Sequence, residues 1–295
     1  MPRQSRTPAR RTPNPSGVHF LTSSRVAAEL VRSSGAGPGR LVVELGAGPG
    51  ALTAVLAATG ARVIAVERDP AFARRLERRL GPSVRVVTAD LRTVPLPRRP
   101  FRVVANPPFS VTTALLRRLF AAPGFDGADL LVEWGLAKRL TEPVPRTPEA
   151  ASWAARFEPR LVRRVPAGCF APAPRVDAAH LAIRPVPGLR DARARRALEA
   201  LLAVAYAEPG RPAGALAGRF VPRRRIHRLL TSSGIDPPGP AGAVPARLWG
   251  ALAAGLAAHS RQALAWRVNS SAYWPPAAIS SAWVPDSATW PPSIT

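Results

Sequence analysis

The chain has 295 residues, 42 Lys and Arg against 18 Asp and Glu, a formal charge of +24 and 46% apolar residues. That suffices for one large and one smaller core, and the excess of positive charge points to a polyanionic partner beyond what a GC-rich coding bias in Arg, Ala, Pro and Gly would produce. A single cysteine, Cys169, excludes an internal disulfide and a multi-cysteine metal site, and no apolar run is long enough for a bilayer. The basic start has no apolar stretch behind it, so no secretory signal is read, and a cytoplasmic protein without a metal is expected.

Residues 1–16 are Pro, Arg, Ser and Thr and read as a basic disordered arm. Residues 17–188 read as one α/β domain. Thr22 or Ser23 caps a helix over Val26, Ala27, Leu30 and Val31, and the glycines at 35–39 break it. A strand at 41–45 leads into a glycine turn and a helix at about 49–58. A second strand at 62–66 precedes Glu67, Arg68 and Asp69, and Pro70 suits a first helical turn. The helix at 71–80 turns Phe72, Leu76 and Leu80 inward and Arg74, Arg75, Arg78 and Arg79 outward. Strands follow at 84–87 and 101–105, then a helix near 112–121 and a strand at about 130–134. Residues 135–160 read as a polar, mobile insertion. Strands at 161–165 and 178–183 close the sheet. The spacing is that of a doubly wound, mostly parallel sheet.

From residue 189 to 260 four short helical patterns, at 191–207, 212–219, 222–231 and 244–258, form a small all-helical domain. Arg223, Arg224, Arg225 and Arg228 make it basic. Residues 261–295 are a low-complexity tail in which Trp266, Trp274, Trp283 and Trp290 stand among Ser, Pro and Ala.

The glycine turn Gly46-Ala47-Gly48-Pro49-Gly50 sits where a parallel sheet binds nucleotides. It lacks the Lys of a phosphate-binding loop, and Ala51 stands at the third glycine of the dinucleotide fingerprint. Glu44 lies beside the ligand position and disfavours a pyrophosphate. A cationic ligand suits it better, and S-adenosylmethionine carries both an ammonium and a sulfonium. Glu67, ending the second strand, can accept the ribose hydroxyls; the plain alternative is a charge at a helix N-terminus. Asp90, ending the third, can accept the adenine amine, or be a solvated loop acid. Arg68 and Leu91, their neighbours, join the cofactor set.

Asn106-Pro107-Pro108-Phe109 closes the fourth strand. Two prolines fix φ and remove two donors, so the Pro107 carbonyl and the Asn106 side-chain carbonyl form a pair of acceptors. Two such acceptors grip an exocyclic amine, favour a pyramidal nitrogen and aim its lone pair at a methyl donor, while Phe109 stacks on the base. A rigid turn with a core Phe is the alternative.

With these motifs, residues 16 to 260 resemble the ribosomal RNA adenine N6-methyltransferases. The macrolide-lincosamide-streptogramin B (erythromycin) resistance branch is the more similar, ahead of the branch that dimethylates small-subunit rRNA. The resemblance implies a cofactor loop at 44–50, a catalytic motif at 106–109 and a second aromatic beside the target base at Phe170, otherwise a core ring at a turn. It also places His19 and Leu21 at the cofactor pocket, with Val18 where the family carries Gln. The implied substrate is protein-free or precursor 23S rRNA, methylated at one adenine of the peptidyl transferase region; a monomer is expected. Arg10 and Arg11 of the arm, Arg74, Arg75 and the 223–228 cluster would contact RNA phosphates. Three other readings stay open: a small-subunit rRNA dimethyltransferase, a DNA adenine methyltransferase, and a catalytically silent RNA-binding protein.

Overall fold

The computed structural model describes residues 17–220 and 223–259. The arm 1–16 with Arg10 and Arg11, and the tail 261–295, lie outside the described residues.

A seven-stranded sheet organises the chain. Its strands are β2 (Leu41–Leu45), β3 (Arg62–Glu67), β4 (Val84–Thr88), β5 (Phe101–Ala105), β6 (Phe125–Glu133), β7 (Phe157–Val165) and β9 (Ala178–Pro185). The spatial order is β4-β3-β2-β5-β6-β9-β7. β4 through β6 are joined in parallel, and β9 and β7 add antiparallel ladders. The order reverses between β2 and β5, and such a switch point opens a crevice at the carboxyl ends of the strands. A separate two-residue pair joins β1 (Phe20–Leu21) to β8 (Phe170–Ala171), antiparallel.

Every residue of β2 is buried, because helices cover both faces. Leu41, Val43 and Leu45 point to one core, and Val42 points to the other. On the second face lie α1 (Ser24–Ser34), α2 (Ala51–Ala57) and α3 (Pro70–Leu80). The Ser23 side chain caps α1 by accepting from Val26 N, and Gly35 ends it at φ 65°. Asp69 caps α3 through Ala71 N at 2.7 Å, with Pro70 behind it. Only Ala73 and Leu76 of α3 are buried, so Phe72 and Leu80 are half-exposed where the periodicity turned them inward.

On the first face α4 (Thr112–Ala121) buries Leu115, Leu116, Leu119 and Phe120. Phe120 stacks on Phe157 with centroids 4.3 Å apart and meets Phe125 and Trp153 edge-on. The Phe120→Ala protein is expected to lose roughly 3–5 kcal/mol of unfolding free energy, read from the denaturant midpoint at unchanged m.

The expected strand at 130–134 begins earlier and ends sooner. β6 starts at Phe125, and Trp134 opens α5 (Trp134–Leu140). Asp126, Gly127 and Asp129 interrupt the apolar pattern that marks a buried strand. Tertiary partners accept them: the fully buried Asp129 takes hydrogen bonds from Ser33 at 2.6 Å and His180 at 2.8 Å, and Arg184 Nη2 lies 2.8 Å from it. Gly127 stands at φ 121°, where an added Cβ would meet the Ile183 carbonyl at 2.8 Å.

Residues 135–160 are not a mobile insertion. They hold α5, α6 (Pro148–Arg156) and the first residues of edge strand β7, whose residues alternate in burial along its length. Thr147 caps α6 through Ala150 N, and Arg117 binds Glu149 in its first turn at 2.8 and 2.9 Å.

The helices α7 (Ala192–Ala207), α8 (Ala213–Ala217), α9 (Arg223–Ser232) and α10 (Ala246–His259) enclose a second core of Leu198, Leu201, Leu216, Leu230, Trp249 and Leu252. Ala151 and Ala155 of α6 belong to it, so this core reaches back beyond residue 189. Among the described residues no helix is long and apolar enough to cross a membrane.

Candidate active site

A cleft of about 520 Å³ lies over the carboxyl ends of β2, β3, β4 and β5. It is lined by His19 just before β1 and Leu21 within it, by Glu44 in β2 and Gly46, Ala47 and Gly48 after it, and by Glu67 at the end of β3 with Arg68 beyond. Asp90 and Leu91 after β4, and Asn106 after β5, complete the expected set. The sheet thus gathers residues far apart in sequence at one edge.

Glu44 is 1% exposed. Burial pushes its carboxyl up to about 8; Thr53 beside it lowers the value and Glu67 raises it. By geometry neither Glu44 Oε2 nor Thr53 Oγ1 closes a hydrogen bond among the described residues. A buried acceptor facing a cleft without a partner fits a ligand that brings positive charge and N–H donors. Glu67 spends one oxygen on Gly48 N and the other on Asp69 N, both at 2.7 Å. It therefore braces the glycine turn, with its remaining lone pairs at the cleft wall.

Gly48 is required by a neighbour as well as by its φ of 52°: a Cβ there would stand 3.0 Å from the Phe20 ring. Phe20 in turn meets Phe72 edge-on at 5.5 Å, and both line the cleft. Sequence reading did not single out Phe72 as a site residue. Phe72 sits three positions after the capping Asp69, which was the available signal.

Asp90 does not hold its carboxylate free. Arg92 clasps both oxygens through Nε and Nη2, at 2.6–3.0 Å, and its backbone N–H adds another bond. The Arg92 guanidinium and that amide hold the carboxyl down to about 2. Arg92 lines the cleft and was also missed.

At the end of β5 the Asn106 Nδ2 donates to the His19 carbonyl at 2.7 Å, which turns Oδ1 the other way. His19 is tied through Nδ1 to the Pro172 carbonyl at 2.7 Å, and its ring lies 5.8 Å from that of Phe109. Val111 N and Thr112 Oγ1 take the Pro108 carbonyl, whereas no donor among the described residues reaches that of Pro107. Pro107 is buried and Phe109 half-buried, and neither lines the cleft itself. Phe170 is 4% exposed and packs with Leu21 and Val165. Its pairing through β8 to β1 sets the ring in that core.

Of the expected RNA contacts, Arg74 and Arg75 are exposed on α3, and Arg225 and Arg228 on α9. Arg223 and Arg224 belong to α9, with side chains outside the described residues.

A buried carboxyl, a glycine turn and two acidic strand ends around one cleft of a mostly parallel sheet define an S-adenosylmethionine-dependent methyltransferase. The chain belongs to the ribosomal RNA adenine dimethylase family, whose model matches residues 13–202. It is 37% identical over 227 residues to the mycinamicin-resistance protein MyrB of Micromonospora griseorubida, covering 75% of this chain and 71% of that protein. It is 34% identical to an rRNA adenine N-6-methyltransferase of Corynebacterium diphtheriae, covering 69% of this chain and 81% of that one. Among solved structures, the 23S rRNA methyltransferase ErmE superposes with a TM-score of 0.68 at 27% identity, over 79% of this chain and 98% of that chain. The protein is thus an rRNA adenine N6-methyltransferase that uses S-adenosylmethionine.

Proposed function

We propose that the protein methylates N6 of one adenine in the peptidyl transferase region of 23S rRNA, presented protein-free or as precursor, and so confers macrolide-lincosamide-streptogramin B resistance. The observation that carries the chemistry is the pair of acceptors at the end of β5, Asn106 Oδ1 and the Pro107 carbonyl, beside the cofactor cleft. The choice of 23S rRNA is supported by the similarity to ErmE, and resistance by the similarity to MyrB. A relative at 30% identity, the ribosomal RNA small subunit methyltransferase A of a Synechococcus strain, supports the small-subunit rRNA as the second reading.

Glu44, the glycine turn, Glu67 and Asp90 hold the cofactor, which supplies an electrophilic methyl group on a sulfonium. The adenine is flipped from its helix, as enzymes acting on a base within a stack require. Asn106 Oδ1 and the Pro107 carbonyl accept the two N6 hydrogens and favour a pyramidal nitrogen whose lone pair faces the cleft. Phe109 packs against the base plane. No side-chain base is needed, since the methylated amine loses its proton readily to water. Exposed arginines on α3 and α9, with Arg10 and Arg11, hold phosphates and set orientation. The protein acts as a monomer in the cytoplasm.

The test supplies labelled S-adenosylmethionine to protein-free 23S rRNA, 30S particles and DNA in parallel and maps the product by mass spectrometry. N6-methyladenine or N6,N6-dimethyladenine at one 23S site is expected. Label on 30S particles or DNA moves the assignment to that substrate, and RNA binding without transfer anywhere removes the enzymatic reading.

A further inference from the structure

A side chain from the helix that follows the target-base turn reaches the cofactor loop after β4 without lining the cleft. Helix α4 starts at Thr112, just past the Asn106–Phe109 turn, and carries Arg118 on its half-buried flank. Arg118 Nη1 donates to the Leu91 carbonyl, and Nη2 donates to the Val94 carbonyl at 2.5 Å. Those two carbonyls bracket a turn that closes on itself through Thr93 N and Val94 N, bonded to the Asp90 carbonyl at 3.0 and 2.9 Å. Asp90 and Leu91 on this turn line the cleft, and the Leu91 side chain also covers Gly46, 3.4 Å from where a Cβ would stand.

We propose that Arg118 is a positioning residue of the cofactor site: it fixes the 90–94 turn so that Asp90 presents its carboxylate to the adenine amine of the cofactor. The inference rests on the reading of Asp90 as the adenine acceptor. A planar guanidinium spans two carbonyls three residues apart, which a single ammonium does less well. The helix does not depend on it for docking, since Leu115, Leu116, Leu119 and Phe120 are buried on the same element. Loss of Arg118 therefore loosens the turn and leaves α4 in place. Arg92 sits on the same turn and already clasps Asp90, so the turn's backbone decides whether that carboxylate can be shared with an incoming amine.

Calorimetric titration with S-adenosylhomocysteine and S-inosylhomocysteine tests this, because the inosine base carries a carbonyl where adenine carries the amine. Native protein is expected to prefer the adenine ligand. Arg118→Met is expected to lose about tenfold in affinity for the adenine ligand, the equivalent of one to two hydrogen bonds, and almost none for the inosine ligand. Arg118→Lys restores part of the preference. In turnover, KM for the cofactor rises while kcat at saturation holds. An equal loss for both ligands, or an undiminished preference, overturns the proposal and leaves Arg118 a support of the fold. Absence of any preference in the native protein overturns the Asp90 reading and the proposal with it. Should Arg118→Met fail to fold, the Arg118→Lys preference decides alone, an intermediate value being expected and a native value contrary.

Discussion

Replacing Asn106 with alanine is expected to lower the rate of methyl transfer to the rRNA substrate by about 10²–10³-fold at saturating cofactor, the range seen when one preorganised polar group is removed from a transition state. The reason is geometric. The adenine amine is a poor nucleophile because its lone pair is delocalised into the ring, and acceptors placed out of that arrangement raise its reactivity. Asn106 Oδ1 can do this only while Nδ2 is anchored on the His19 carbonyl at 2.7 Å. Alanine removes both the acceptor and the anchor. Asn106→Asp separates them: it keeps an acceptor but sets a carboxylate oxygen against the His19 carbonyl. It is expected to be nearly as inactive, because repulsion turns the side chain. Both variants should melt within a few degrees of the native protein, since one hydrogen bond contributes about 1 kcal/mol. Single-turnover rates with bound RNA measure the effect. An Asn106→Ala protein that transfers methyl at the native rate would remove Asn106 from the chemistry.

The second large effect belongs to Glu44. Its carboxyl is pushed up to about 8 by burial, so near neutral pH the ligand-free protein holds it mostly protonated. A cationic cofactor binds the ionised form. Affinity should therefore climb with pH by up to about tenfold per pH unit below that value. It should then fall above roughly pH 8, where an α-amino group itself loses its proton. Glu44→Gln removes the rising limb and weakens binding at the optimum, leaving only the falling limb. Stability follows the opposite sign. The folded value lies above the unfolded one, so the stabilisation from the proton is full below about pH 4.5 and is lost as pH rises through about 8. A carboxyl whose folded and unfolded values differ by one pH unit changes stability by about 1.4 kcal/mol between its two protonation states. Glu44→Gln should thus gain on the native protein in melting temperature between pH 5 and 9. Titration calorimetry and thermal melts across that range measure both. A native affinity that is flat from pH 6 to 8 would refute the assignment.

Much of the site was legible because its signals are local. Gly46, Gly48 and Gly50, the acids Glu44, Glu67 and Asp90, and the Asn106–Phe109 turn each lie in or just past the last residues of an apolar strand, and each residue type matches a task that a strand end can perform. Caps were legible for the same reason: Ser23 and Asp69 act within three residues of themselves. The stretch 125–129 was not, because Asp126, Gly127 and Asp129 look like turn chemistry until Ser33, His180 and Arg184 arrive from elsewhere in the chain. Nor was β1, whose two residues become a strand only by pairing with Phe170 and Ala171.

The sequence by itself determined the alternation of strands and helices, the positions of the chemistry-bearing residues at strand ends, and the class of cofactor, since these depend on residue type and short spacing. Tertiary structure alone decided which groups are free to act. It buried Glu44 until its acidity changed, gave Asp90 to Arg92, spent Glu67 on the glycine turn and turned Phe170 into the core. It also braced the 90–94 turn with Arg118. Desolvation and hydrogen-bond competition depend on everything packed around a group, and most of those neighbours come from distant parts of the chain.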